Sequence, residues 1–129
     1  MNKLEIVQSY WAAEKAKDLG LILSHFTETA EFVAPGVQHK GRENIQNFYQ
    51  GIINNYQDLT VNVDNAIEAG NQIAVQYTCD LVLHSGETKQ VAGCNVFTFD
   101  RNKFSHLRCY FNPADFVTVH RVKTTFTAH

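Results

Sequence analysis

The pattern of apolar and polar positions changes period once along the chain. Over residues 3–17, Leu4, Ile6, Val7, Tyr10, Trp11 and Ala13 recur at helical spacing and form a broad apolar arc. Stepping about 100° per residue places Glu14 inside that arc, beside Val7 and Tyr10, an unusual position for a carboxylate. Asp18 is suited to cap a second, short helix over 19–26. Residues 29–35 predict a strand with Ala30, Phe32 and Ala34 on one face, broken at Pro35-Gly36. A third helix follows over 42–56, with Ile45, Phe48, Tyr49, Ile52 and Tyr56 as its stripe.

After residue 58 the period becomes two. Leu59, Val61 and Val63 alternate with polar residues, and Ile73, Val75, Tyr77, Cys79, Leu81 and Leu83 do so over a longer run. Two further long strands, joined by the polar turn Asp100-Arg101-Asn102-Lys103, make up the stretch 89–116. One face of the first carries Val91, Gly93, Asn95, Phe97 and Phe99. Asn95 thus puts an amide into an apolar row, where it needs hydrogen-bond partners or a cavity to face. Helices mostly first and a four-strand antiparallel meander last predict an α+β domain. Its sheet must curl around the helices, giving a cone with a mouth, and pockets favour such concave places.

Composition narrows the classes. A chain of 129 residues suits one domain, 1–129, with the Thr-rich stretch 117–129 as a C-terminal extension. Hydrophobic residues at 44%, nine Phe and five Tyr among them, supply a core, while a net charge of -2 argues against nucleic acid or an anionic membrane as partner. Three cysteines without CxxC spacing read as reduced core thiols, although a disulfide between two of them stays open. With no apolar leader and no run of membrane-spanning length, the expected location is cytoplasmic. None of the six histidines has metal-ligand spacing, so no metal is expected; His39, placed in a loop near the mouth, is the best-situated of them.

The stretches FTETAEFVAPG, HKGRENIQNFY, EAGNQIAVQY, CNVFTFD and LRCYFNPADF, in this order and spacing, resemble the NTF2-like superfamily, in its SnoaL-like and ketosteroid isomerase-like branch, over roughly residues 4–116. The resemblance implies the NTF2-like cone and a superfamily of isomerases, cyclases, dehydratases, epoxide hydrolases and non-enzymatic binders. Ketosteroid isomerase uses an Asp base with a Tyr and a protonated Asp as oxyanion donors. Carried over, the donor Tyr is Tyr10, a supporting Tyr is Tyr49, and the protonated Asp is Asn95. A further Tyr of some isomerases falls on Phe26 and is lost. The base falls on Ala34, which takes no proton, and Asn112 stands where many SnoaL-like sequences have Asp. Steroid isomerisation is therefore expected to be absent or very slow.

The expected pocket is lined by Tyr10, Trp11, Glu14, Phe26, Phe32, Tyr49, Val75, Tyr77, Asn95, Phe97, Leu107 and Phe111, which suits a small hydrophobic ligand. Tyr10, Asn95 and Glu14 are the catalytic candidates, with Glu14 as a relocated acid–base group whose pKa burial would raise. The competing arrangement turns Glu14 to solvent beside Lys17. Function stays divided between cofactor-free proton transfer on a carbonyl compound and a non-catalytic binding or dimerisation module. Ala92, Cys94, Val96 and Tyr110 face away from the pocket and yet are largely apolar, which predicts a homodimer.

Overall fold

The structure, a computed structural model, describes residues 1–116; the extension 117–129 lies outside the described residues. Helix α1 (Lys3–Ala16) starts at a capping box in which Asn2 accepts from the Glu5 amide and Glu5 accepts from the Asn2 amide. It ends at Lys17, in the left-handed conformation. Asp18 caps α2 (Leu19–Leu23) by accepting from the Leu21 amide. Strands β1 (Phe26–Ala34) and β2 (Val37–Lys40) form a hairpin, followed by α3 (Arg42–Ile52) and then the meander β3 (Asp58–Ala69), β4 (Gln72–Val82), β5 (Thr88–Asp100) and β6 (Lys103–Phe111). A single 3-10 turn, Pro113–Phe116, follows.

The six strands form one sheet in the order β2-β1-β6-β5-β4-β3. Every neighbour pair is antiparallel except β1 and β6, which run parallel. The fold is thus the expected α+β cone, with the meander extended by a hairpin that the pattern did not indicate. Strand β2 is short and mostly exposed, so its residues carry no alternation to read.

Three boundaries move. The second helix stops at Leu23, and Phe26 opens β1 instead of closing that helix. Bonds to two backbone carbonyls explain the change: the Phe104 amide donates to the His25 carbonyl at 2.7 Å, and the Arg42 side chain donates through Nη1 to the Phe26 carbonyl at 3.1 Å. Helix α3 ends at Ile52, and the turn after it carries Tyr56 across to the end of α1. His39 lies in β2, opposite Phe32, and not in a loop.

The inner face of the sheet and the apolar arcs of the helices share one core. One end of the cone is solid: Ile22, Phe26, Ile45, Phe97, Phe104 and Leu107 are fully buried. Toward the other end the walls part. Among the described residues no helix is long and apolar enough to cross a membrane, and all three cysteines are free.

Candidate functional site

A cavity of about 460 Å³ occupies the wider part of the cone. Its helical wall is Tyr10, Trp11 and Glu14 from α1 and Phe48, Tyr49 and Ile52 from α3. The sheet supplies Phe32 and Ala34 from β1, Leu59 and Val61 from β3, Tyr77, Cys79 and Leu81 from β4, Val91 and Asn95 from β5, and Cys109 and Phe111 from β6. The strand residues come in steps of two because alternate side chains share a face. Asn55, Tyr56 and Leu83 also line it, and Asn55 is exposed, so the cavity opens at that end.

Tyr10 is the centre of the helical wall. Its ring meets Phe26, Phe97 and Phe104 edge-on at 5.9, 6.0 and 5.4 Å between centroids. Its hydroxyl pairs with that of Tyr49, two buried groups brought together from α1 and α3. The Tyr10 hydroxyl also lies near the Glu14 carboxyl and favours its ionised form. An ionised carboxylate only accepts, and either hydroxyl of the tyrosine pair can donate to the other. Tyr49, Tyr10 and Glu14 thus form a row of polar groups on the cavity wall.

Glu14 therefore faces the cavity and not solvent beside Lys17. Lys17 instead donates to the Tyr56 carbonyl and lies 5.0 Å from the centre of the Tyr56 ring. Lys15 turns outward to Asp58, at 3.0 Å. Tyr56 Oη donates to the Glu14 carbonyl at 2.7 Å and pins this turn of α1 to the segment after α3. Loss of hydration among apolar walls raises the Glu14 pKa to about 7, against the smaller opposing effect of the Tyr10 hydroxyl.

Asn95 is 5% exposed and lines the cavity, and its side-chain oxygen is buried without a hydrogen-bond partner. Buried amides are normally satisfied, so a free polar atom here is a ready contact for a bound molecule. Burial raises the pKa of Cys79 to about 12 and carries Cys109 higher still. Both thiols stay protonated at neutral pH and are weak nucleophiles. Burial likewise keeps Tyr10, Tyr49, Tyr56 and Tyr77 neutral.

Of the residues expected to line the pocket, Tyr10, Trp11, Glu14, Phe32, Tyr49, Tyr77, Asn95 and Phe111 do so. Phe26, Val75, Phe97 and Leu107 do not. Each is fully buried in the solid end, with Phe26 and Phe97 packed beneath the Tyr10 ring. His39 stacks on the outer side of Phe48, at 4.7 Å, and is not part of the lining. Tyr56 was missed as a lining residue, although it ends the apolar stripe of the third helix. Cys79 and Cys109 were equally legible, as row-mates of Tyr77 and Phe111. Among the described residues no cluster of His, Cys, Asp or Glu could hold a metal ion.

The family model for the SnoaL-like domain matches residues 7–107. Among curated proteins none matches the chain. Solved structures with the same fold include an NTF2-like protein of unknown function from Burkholderia pseudomallei, 17% identical, with a TM-score of 0.78 over 89% of this chain and 94% of that one. An LEH-like epoxide hydrolase from M. tuberculosis is 16% identical, with a TM-score of 0.74 over 86% and 83%. The epoxide hydrolase/cyclase-like enzyme SalBIII, of pyran ring formation in the polyether salinomycin, is 19% identical, with a TM-score of 0.76 over 88% and 92%.

Proposed function

The chain belongs to the SnoaL-like family, and from that premise we propose that its cavity takes up a small, mainly apolar carbonyl compound and that Glu14 exchanges a proton with it without a cofactor. The observation that carries this reading is that, among the described lining residues, one carboxyl group stands on an otherwise uncharged wall, with Tyr10 and Tyr49 beside it. A pKa of about 7 suits a group that must both take and return a proton near neutral pH.

In the forward step the Glu14 carboxylate removes a proton from the carbon next to the carbonyl. The electron pair of that C–H bond moves to the carbonyl oxygen, giving an enolate. The Tyr10 O–H, beside Glu14 on the same wall, donates to the developing oxyanion, with the Asn95 amide as a second donor. Return of the proton to a different carbon completes an isomerisation. Attack of the enolate carbon on a second carbonyl carbon of the same molecule, whose C=O electron pair moves to its oxygen and takes the proton back from Glu14, would complete a cyclisation.

The test is deuterium exchange next to the carbonyl of small cyclic ketones in heavy water, followed by NMR. Exchange above the buffer rate is expected, falling back to it in Glu14→Gln. Ala34 favours a second reading, a binding module without catalysis, because it lines the cavity where the related isomerases have their base. Ligand-induced thermal stabilisation with exchange no faster than buffer supports that reading and rejects the first.

We also propose that two copies pair through the outer face of the sheet. Tyr110 is 56% exposed, Ala92 is exposed two residues from the Tyr110 partner Cys94, and Ile67 on β3 is 61% exposed. Light scattering is expected to give a dimer for the parent chain and a monomer for Tyr110→Glu, with the cavity unaffected. A monomer for the parent at micromolar concentration overturns this.

A further inference from the structure

The described residues that line the cavity combine one carboxylate with aromatic walls and include no cation. We propose that the cavity selects a positively charged organic molecule, a small ammonium compound whose cationic group lies between Glu14 and the rings of Trp11 and Tyr77. This deepens the proposed function by naming the ligand class for the same cavity and the same carboxylate.

Glu14 is the one Asp, Glu, Lys, Arg or His among the described lining residues. The two lysines nearest in sequence are committed elsewhere, Lys15 to Asp58 and the Leu59 carbonyl, Lys17 to the Tyr56 carbonyl. The described salt bridges are Lys3–Glu68 and Lys15–Asp58, neither of which involves Glu14. A carboxylate withdrawn from water and left without a counter-charge is costly. A ligand that brings the counter-charge removes that cost, while an anionic ligand adds to it.

The walls meet the second requirement. Trp11 and Tyr77 pack at 5.4 Å between ring centroids, forming an aromatic corner one residue along α1 from Tyr10. Cations gain attraction from such ring faces, most when they are desolvated, and aromatic cages recognise quaternary ammonium groups. The chain already uses this contact outside the cavity, where Lys17 lies over Tyr56. Asn95, with its buried oxygen unpartnered, is left to orient the polar remainder of the ligand.

The preference follows pH through Glu14. The groups that face it are Tyr10 on its own helix, Tyr49 and Tyr56 from α3 and the segment after it, Tyr77 and Cys79 from β4, and Cys109 from β6. Burial keeps all of these neutral at pH 6 to 8, and Asp58 on β3 is paired outside with Lys15. Glu14 is then the group that changes charge in this range, and a bound cation drives it toward the carboxylate with release of a proton.

The experiment compares choline with its neutral isostere 3,3-dimethylbutan-1-ol, read by the fluorescence of Trp11, the one tryptophan of the chain. At pH 8 choline is expected to bind at least about tenfold more tightly, the equivalent of one charged contact of moderate strength. The preference should shrink at pH 5.5, vanish in Glu14→Gln and persist in Glu14→Asp. Calorimetry near pH 6.5, in two buffers of different ionisation enthalpy, should show proton release with choline and none with the alcohol. Equal affinities at pH 8, a preference that survives in Glu14→Gln, or no saturable response to choline would each overturn the proposal. Deuterium exchange without cation preference rejects this inference and leaves the proton-transfer reading intact; cation preference without exchange does the reverse.

Discussion

Gly93→Ala is expected to destabilise the protein by about 2–3 kcal/mol, the cost of forcing extra volume into a packed sheet. Gly93 lies on β5 opposite Tyr77 on β4 and Phe111 on β6. A Cβ at this position would stand 2.6 Å from Tyr77 Oη, 2.8 Å from Tyr77 Cζ and 2.8 Å from the Tyr110 carbonyl oxygen. Absence of a side chain is what lets the Tyr77 ring fold across the strand and line the cavity. The phenol could swing aside, but only toward Trp11, reducing the space for a ligand. The carbonyl belongs to the β6 backbone and moves only if the sheet does. The check is the denaturant midpoint, together with the emission of Trp11. Gly51→Ala is the control: its added Cβ would meet nothing within 4 Å, and Gly51 is helical, so stability should hold or rise by up to about 1 kcal/mol. Adding Tyr77→Val to Gly93→Ala should recover only the part due to the ring. A Gly93→Ala variant as stable as the parent would mean that the close approach of the three strands is not tight.

Glu14→Gln is expected to make the protein more stable and less active. The carboxyl has an ordinary pKa of 4.5 when exposed and about 7 in the fold. The folded chain thus binds the proton more tightly than the unfolded one. Stability from this group is complete below pH 4.5, falls as pH rises toward 7, and is level above that. An amide of the same shape has no such slope. At pH 8 the variant should exceed the parent by roughly 2 kcal/mol, after allowing for water in the open cavity, and the two should converge near pH 4. Urea titrations of both proteins across this range measure the difference directly. Any proton transfer by Glu14 should meanwhile fall by about 10²–10⁴-fold. A site that destabilises the fold around a needed group is a common exchange of stability for function. Parallel stability curves would place Glu14 in contact with bulk water and remove the physical basis for its role.

Much of this arrangement follows from the one-dimensional pattern. Tyr10 and Glu14 share a face because a helix turns once in 3.6 residues, and the structure sets both on the cavity wall. Asn95 shares its face with Val91 and Phe97 because strand side chains alternate. Asp18 announces a helix start because its oxygen satisfies an amide that the helix cannot. These are local constraints, and a chain carries them wherever it folds.

Depth along the cone is different. Val75 and Tyr77 are row-mates on β4, as are Asn95 and Phe97 on β5, yet the first of one pair and the second of the other are solid core. Periodicity assigns a face, whereas the curl of the sheet decides how far each point of that face lies from the helices. The Tyr10–Tyr49 pair joins residues from separate helices whose approach depends on both packing onto the sheet. The parallel pairing of β1 with β6 brings Ala34 to the wall, and the turn after α3 delivers Tyr56 to Glu14. Lys17 had an available carboxylate on its own helix and went to the Tyr56 carbonyl instead, because the left-handed end of α1 points it there. The residue types and their faces were decided by sequence; the charge left without a partner was decided only when the elements packed and Glu14 was enclosed apart from its lysines.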